Sequence, residues 1–181
     1  MEAGRFSIVV GDITQSDAEA IVNAANTTLL GGSGVDGAIH AAAGPGLLEE
    51  CRTLGGCETG HAKLTGGYRL PSRYVLHTPG PIWRGGGHGE AALLASCYRS
   101  CLTLAAEHGI QTVDFPSIST GVYGYPMAQA APVALRTILD FLSDHELPRQ
   151  VRLVCRREET AAVYRQAWNL WYAESKADRM V

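Results

Sequence analysis

The chain has 181 residues, of which 46% are hydrophobic and 18% charged, a composition typical of a globular protein and unlike that of a disordered one. Its 15 Lys and Arg against 18 Asp and Glu give a formal net charge of −3, which argues against general binding to nucleic-acid backbones. Because domains of about 100 to 200 residues are the norm and no linker is visible, we predict one domain over residues 1–173, followed by a polar tail over 174–181.

The sequence disfavours both membrane insertion and secretion. It contains no apolar run of about 18 residues, and its N-terminal region lacks the basic, apolar and small-residue order of a signal peptide. We therefore expect a cytoplasmic protein with no membrane partner. The five Cys residues form no CxxC pair, so we expect reduced, mostly buried thiols. Cys57 and His61 lack the second ligand pair that a zinc site needs, so we expect no metal.

Apolar patterning predicts an alternation of strands and helices along the chain. Short apolar and β-branched runs predict six strands, at Phe6–Val10, Ala20–Asn23, Ala62–Leu70, Tyr74–His77, Thr112–Phe115 and Val151–Cys155. Longer stretches predict five helices, at Val35–Ala43, Leu47–Leu54, Glu90–His108, Pro126–Ser143 and Glu159–Trp171. The order β, β, α, α, β, β, α, β, α, β, α is typical of an α/β fold with helices on both faces of a mixed sheet.

Three segments lie where such a fold would bind a ligand. Ligands gather outside the carboxyl ends of strands, where loops run into helix N-termini. The segments with that placement are Gly11–Ile13, Asn23–Asp36 and Pro116–Tyr125. We therefore look for functional residues there first.

The glycine-rich loop Gly31–Gly34 leads directly into the helix predicted at Val35. Glycine lets the backbone approach a ligand closely, and a helix N-terminus offers free N–H groups, so this loop is a candidate phosphate cradle. The alternative is a glycine-rich turn with no ligand. Gly32, Gly34 and Gly37 also fit a dinucleotide fingerprint, but a long loop separates them from the preceding strand, which argues against a nicotinamide-cofactor site.

A second loop, Ser117–Gly124, follows a predicted strand and precedes a helix, with hydroxyls, glycines and exposed amides. Two amide-rich loops that face each other suit a diphosphate and would bind it without lysines. A P-loop kinase or ATPase is excluded because the sequence contains neither GxxxxGKS nor GxxxxGKT. The alternative for this loop is a hydroxyl-rich turn that satisfies its own backbone.

Polar residues near these loops are candidates for ligand contacts. Asn26 can orient a ribose hydroxyl, Asp36 a water molecule, and Asp12 can accept a hydrogen bond from an exocyclic amine such as that of adenine. The structural alternatives are a helix cap for Asp36 and an Asx turn for Asp12. His40 is expected to be a packed or surface residue, and 156–159 a solvated charged run.

Taken together, four ordered segments resemble the macrodomain family: Gly11–Ile13, Asn23–Asn26, Gly31–Gly37 and Ser119–Gly124. The resemblance runs from about Phe6 to Trp171, includes His77–Pro81, and is closest to the MacroD-type branch with the bacterial YmdB-like proteins. It implies a three-layer α/β/α sandwich that binds ADP-ribose. It also implies hydrolysis of O-acetyl-ADP-ribose, and of ADP-ribose esters on acidic side chains of mono-ADP-ribosylated proteins, with no cofactor.

The resemblance assigns roles to individual residues. Asp12 would hold the adenine amine, Asn26 a hydroxyl of the distal ribose, and Tyr123 would pack against that ribose. Asp36 would position or activate the attacking water, which leaves open whether it is a general base. The predicted catalytic residues are thus Asp36 and Asn26, and the predicted ligand-binding residues are Asp12, Ile13, Asn23, Gly32, Ser33, Gly34, Val35, Ser119, Thr120, Gly121, Val122 and Tyr123.

Two positions depart from the branch. Ser33 stands where glycine is frequent, and Ala41 stands where many relatives carry arginine. Both departures leave Asn26 and Asp36 in place, so a hydrolase is the leading hypothesis. Ser33 is the only hint toward a non-catalytic reader of ADP-ribosylation. The resemblance also implies regulation of a ribonuclease through protein contact, for which the sequence identifies no interface.

Overall fold

The structure, a computed structural model, describes residues 2–178, and the side chains of residues 4–178. Six strands form one sheet: β1 (Phe6–Val10), β2 (Ala20–Ala25), β3 (Lys63–Gly66), β4 (Tyr74–Pro79), β5 (Thr112–Phe115) and β6 (Gln150–Cys155). Five helices accompany them: α1 (Gly34–Ala43), α2 (Pro45–Arg52), α3 (Glu90–Glu107), α4 (Met127–Asp144) and α5 (Glu158–Asp178). The predicted order of elements is confirmed.

The sheet is mixed, with the strand order β1-β6-β5-β2-β4-β3. The first five strands in this order pair in parallel, and β3 runs antiparallel to β4 at one edge. β2 pairs with β4 along its whole length, but with β5 only at Ala20 and Ile21. The carboxyl ends of β2 and β5 therefore separate, which leaves room between the loops that follow them.

Helices cover both faces of the sheet and divide the core in two. One face packs against α3, α4 and α5 and holds the larger core, which includes the fully buried Leu76 and Phe115. The other face packs against α1 and α2 around Ile21, Leu47 and Val75. This arrangement is the three-layer α/β/α sandwich expected from the sequence.

Two elements differ from the prediction by several residues, and the others agree to within about two residues at each end. The strand predicted at Ala62–Leu70 ends at Gly66, because the chain turns tightly at Gly67, where a Cβ would lie 1.9 Å from the carbonyl oxygen of Ser72. α5 continues to Asp178, so residues 174–178, which we placed in a polar tail, are helical. Residues 179–181 of that tail lie outside the described residues.

The five cysteines are all free and buried. Burial raises the pKa of the Cys51, Cys97 and Cys155 thiols to about 11, so these thiols are neutral near pH 7. The expectation of buried, reduced thiols is confirmed. Among the described helices, none combines the length and apolar character needed to cross a bilayer.

Candidate active site

An open cleft of about 920 Å³ lies at the carboxyl edge of the parallel strands. The loops after β1, β2, β5 and β6 form its walls, so segments far apart in sequence meet there. All but one of the predicted site residues line it: Asp12, Ile13, Asn26, Gly32, Ser33, Gly34, Val35, Asp36, Ser119, Thr120, Gly121, Val122 and Tyr123.

One wall of the cleft is the N-terminus of α1. The helix begins at Gly34, and Ser33 precedes it as the N-cap in an extended conformation, without a side-chain capping bond. The first N–H groups of a helix have no partner within the helix, so the amides of Gly34, Val35 and Asp36 are available at this wall. The added Cβ of Ser33 causes no backbone strain, because its φ of −103° is ordinary for any residue.

The opposite wall is the loop after β5. It closes on itself through two hydrogen bonds, from Gly124 N–H to Gly121 O and from Tyr125 N–H to Ser119 O, both 3.0 Å long. Within residues 2–178, the backbone N–H groups of residues 119–123 have no acceptor. Two runs of unpaired amides therefore line one cleft, and no lysine of the described chain accompanies them.

Two buried tyrosines anchor this loop from below. Tyr164 Oη lies 2.5 Å from Ser117 Oγ, and Tyr98 Oη accepts from the N–H of Ile118 at 3.4 Å. Ser119 adopts a φ of +65°, which is uncommon for a residue with a side chain, and its buried Oγ has no hydrogen-bond partner among the described residues. Backbone strain and an unpaired buried hydroxyl at one residue are typical of a functional site.

Asp36 and Asn26 converge on the glycine-rich loop. A Cβ built on Gly32 would lie 3.0 Å from Asp36 Oδ2 and 3.5 Å from Asn26 Nδ2. Asn26 Nδ2 donates to the carbonyl oxygen of Gly31 at 2.8 Å, and its Oδ1 accepts from the Thr28 hydroxyl at 2.6 Å. The amide is therefore fixed in orientation beside the carboxylate.

Asp36 is buried, and its two carboxylate oxygens have different surroundings. Oδ1 accepts from Asn23 Nδ2 at 2.8 Å and lies 3.4 Å from His40 Nε2, whereas Oδ2 faces Gly32. Burial raises the pKa of Asp36, and the Asn23 hydrogen bond and the nearby His40 partly offset that rise. Oδ2 is therefore the carboxylate oxygen on the side of Gly32, and both residues line the cleft.

Asn23 is the predicted ligand-binding residue that the structure places elsewhere. It is fully buried behind Asp36, to which it donates, and it does not line the cleft. Along β2 it shares the inward face with Ile21 and Ala25, because alternate strand residues point the same way. We correct its role from ligand contact to support of Asp36.

Asp12 lies at the cleft rim, exposed, after β1. Its Oδ1 accepts from the backbone N–H of Thr14 at 3.0 Å and from the Thr14 hydroxyl at 2.8 Å, and these bonds lower its pKa. The Asx turn that was the structural alternative for Asp12 therefore exists. It also holds an ionised carboxylate at the cleft, so the turn and a ligand contact are compatible.

Sequence reasoning missed the residues at the start of α5. Arg156, Arg157 and Thr160 line the cleft, although the run 156–159 was expected to be a solvated surface. Arg156 and Arg157 are exposed, yet they directly follow the carboxyl end of β6. The three segments that we predicted to bind a ligand also follow strand ends. That placement was the signal that could have found them.

The Macro domain model matches residues 22–134, which is more than half of the chain. This protein belongs to the macrodomain family. A macro domain-containing protein of Chlorobaculum tepidum is 58% identical over 159 residues, covering 88% of this macrodomain and 92% of that protein. An O-acetyl-ADP-ribose deacetylase of Salmonella typhimurium is 55% identical over 164 residues, with 88% and 92% covered.

Solved structures agree with this macrodomain in fold. A variant of the Oceanobacillus iheyensis macrodomain, solved with ADPR, superposes with a TM-score of 0.89 at 44% identity, and 92% of each chain is covered. A Trypanosoma brucei macrodomain in complex with ADP-ribose gives a TM-score of 0.84 at 45% identity, covering 90% of this chain and 68% of that one. The macrodomain fold expected from the sequence is confirmed.

Proposed function

We propose that this macrodomain binds ADP-ribose in the cleft and hydrolyses O-acetyl-ADP-ribose to ADP-ribose and acetate. The observation that carries the proposal is that Asp36 Oδ2 and Asn26 Nδ2 lie together beside Gly32, in a cleft lined by two runs of unpaired amides. Relatives named O-acetyl-ADP-ribose deacetylase, and a related structure in complex with ADP-ribose, support this choice of ligand.

The two amide-lined walls suit the diphosphate of this ligand. N–H groups at a helix N-terminus and in a loop stabilise phosphate oxygens without a formal positive charge. With the diphosphate between Val35 and Val122, Asp12 is available to the adenine amine, and Asn26 and Tyr123 to the distal ribose. The exposed guanidinium groups of Arg156 and Arg157 add positive potential at the adenosine end.

Hydrolysis of the acetyl ester requires a water oriented against the carbonyl carbon and a group that accepts its proton. Asp36 lines the cleft with Oδ2 on the side of Gly32, and the raised pKa of the Asp36 carboxyl makes it a better proton acceptor than a solvated aspartate. Asp36 accepts a proton as the water oxygen bonds to the carbonyl carbon, the bond to the ribose oxygen breaks, and that oxygen takes up the proton from Asp36; the acetic acid so formed ionises. The products are acetate and ADP-ribose.

The proposal extends to ADP-ribose esterified to glutamate or aspartate side chains of proteins. These esters present the same carbonyl to the same water, so they need no additional catalytic group. Because the protein part of such a substrate is large, the cleft must be open at the end that would hold the distal ribose. Ser33 is exposed, and Val122 is 84% exposed, so the mouth of the cleft is accessible to a large substrate.

The test measures acetate and ADP-ribose release from O-acetyl-ADP-ribose, and ADP-ribose release from a protein mono-ADP-ribosylated on glutamate. Wild type, Asp36→Ala and the control Asp140→Ala are compared, since Asp140 is an exposed carboxylate on α4 away from the cleft. We expect Asp36→Ala to lose about 100-fold or more in turnover, and the control to lose none. ADP-ribose binding by calorimetry should persist in both variants.

Equal turnover by wild type and Asp36→Ala would remove Asp36 from the chemistry. Tight ADP-ribose binding with no release from either substrate would instead make this macrodomain a reader of ADP-ribosylation. No feature of residues 2–178 marks a surface for a ribonuclease, so that contact is not part of the proposal.

A further inference from the structure

A chain of buried polar side chains runs behind the cleft, from Asp36 across the sheet. Asn23 on β2 donates to Asp36 Oδ1 at 2.8 Å, and the same Nδ2 lies 3.1 Å from His77 Nδ1. Asn23 and His77 are direct neighbours in the parallel pairing of β2 and β4. His77 Nε2 lies 2.9 Å from Thr65 Oγ1 on β3. Asn23, His77 and Thr65 are all fully buried.

The chemistry of these contacts fixes the state of the histidine. An ionised Asp36 only accepts hydrogen bonds, so the Asn23 atom facing it is the NH2 group, which also contacts His77 Nδ1. Nδ1 must then be an acceptor, and the ring proton lies on Nε2, where Thr65 Oγ1 accepts it. The Thr65 hydroxyl in turn donates to the carbonyl oxygen of Gly66 at 3.1 Å. Burial lowers the pKa of His77 to about 3, so the ring stays neutral.

We propose that His77 is a positioning residue for this site: by accepting a second hydrogen bond from the Asn23 NH2 group, it holds that group in the place from which it donates to Asp36 Oδ1. The inference rests on the proposed function of Asp36. Without the Nδ1 acceptor, one N–H of the buried Asn23 amide has no partner, and Asp36 alone holds the amide, because Asn23 Oδ1 has no hydrogen-bond partner among the described residues. The hydrogen bond from Asn23 to Asp36 Oδ1 is then weaker, and the carboxylate is held less firmly.

Other groups that face Asp36 do not replace this donor. His40 on α1 lies 3.4 Å from Oδ1, outside hydrogen-bond geometry, and Cys51 on α2 is a neutral thiol 3.9 Å from His77 Nε2. The donor to Asp36 Oδ1 is thus supplied by Asn23 within the described chain, and His77 Nδ1 is the second acceptor for the same NH2 group.

The test uses a matched pair of neutral substitutions, His77→Asn and His77→Gln. Asparagine places its amide oxygen close to the position of Nδ1 and keeps the acceptor for Asn23, whereas glutamine places its polar group near Nε2 and does not. We expect His77→Gln to lower kcat on O-acetyl-ADP-ribose by about 10- to 100-fold, with the Kd for ADP-ribose within about twofold of wild type. His77→Asn should recover most of the lost kcat.

A readout independent of turnover is the titration of the Asp36 carboxyl, followed by 13C NMR and assigned with Asp36→Asn. Because the Asn23 bond lowers the pKa of Asp36, that pKa should rise in His77→Gln and stay near the wild-type value in His77→Asn. In active enzyme, the acid limb of the pH–kcat profile should move upward with it. Thermal unfolding shows whether each variant is folded.

The proposal is overturned if folded His77→Gln keeps the wild-type kcat and the wild-type pKa of Asp36. It is also overturned if His77→Asn and His77→Gln lower kcat by the same factor, or if kcat and ADP-ribose affinity fall together. Failure of the proposed function gives a different pattern. Wild-type protein would then show no hydrolysis, while the NMR titration would still report whether His77 controls Asp36 through Asn23.

Discussion

Gly80 lies directly after β4, where the backbone passes against the loop that follows β5. A Cβ at this position would lie 2.2 Å from Ser119 Oγ and 2.8 Å from Ile118 Cγ2, so both side chains would have to move. We predict that Gly80→Ala destabilises the protein by about 1 to 3 kcal/mol and weakens ADP-ribose binding, because Ser119 begins the amide-lined wall. Thermal unfolding and calorimetry measure the two effects.

Gly87→Ala is the matched control for this substitution. Nothing lies within 4 Å of a Cβ built on Gly87, and the residue is outside the cleft. It should retain the ADP-ribose affinity of wild type. If Gly80→Ala also binds as wild type does, the loop after β5 does not need its observed position for binding.

The raised pKa of Asp36 predicts the pH dependence of hydrolysis. The carboxylate is the active form, so turnover should be full above the pKa of Asp36 and should fall as the pH drops through it. Because burial raises that pKa from its ordinary value of 3.8, the acid limb should lie above pH 3.8. A pH–kcat profile checks this, and an acid limb below that value would contradict the role of Asp36.

At the scale of elements, the loop between β4 and α3 is organised by one carboxylate. Glu90, in the first turn of α3, is buried and accepts from the backbone N–H groups of Arg84, Gly86 and His88 at 3.0, 2.7 and 2.6 Å. Burial alone would raise the pKa of Glu90, but these donors outweigh it and hold the pKa at about 2. The loop of residues 84–89 is thus tied to the start of α3.

This arrangement predicts a pH-dependent contribution of Glu90 to stability. The folded pKa lies below the ordinary value of 4.5, so the contribution is complete above pH 4.5 and is lost as the pH falls toward 2. Glu90→Gln should accelerate amide hydrogen exchange of Arg84, Gly86 and His88 at neutral pH and flatten the acid decline in thermal stability. Glu107→Gln, exposed on the same helix, is the control and should change neither.

The elements and most of the site were predictable from sequence because the signals were local. Apolar runs predicted the strands. Because ligands gather outside the carboxyl ends of strands, Asp12, Asn26 and Asp36 were predicted to lie at one edge of the sheet. Asn23 was wrongly assigned to the ligand because an asparagine near the end of a strand has the same sequence pattern whether its side chain faces a ligand or the core. Its contacts with residues of other elements determine which role it has. The role of His77 could not be predicted from the sequence for the same reason, since it depends on contacts with Asn23 on β2 and Thr65 on β3.

At the scale of the whole molecule, a second polar network joins the strands away from the cleft. Asp114 on β5 is 2% exposed and receives two hydrogen bonds from Arg152 on β6, at 2.8 and 3.0 Å. Ser16, ahead of β2, donates to the same carboxylate at 2.5 Å, and Arg152 also bonds Asp17 at 2.8 Å. The network ties β5 and β6 to the segment that enters β2.

Because this network lies away from the cleft, we predict that stability can be changed without changing ligand binding. Asp114→Ala leaves a half-buried Arg152 without its main partner and should lower the free energy of unfolding by about 3 kcal/mol, with ADP-ribose affinity unchanged. Asp17→Ala removes the exposed partner of the same arginine. Because the Asp17 side chain is 91% exposed, this substitution should change the free energy of unfolding much less than Asp114→Ala does. Urea unfolding and calorimetry on both variants check this, and an equal loss of stability in both would mean that the exposed Asp17 contributes as much as the buried Asp114, which contradicts the prediction.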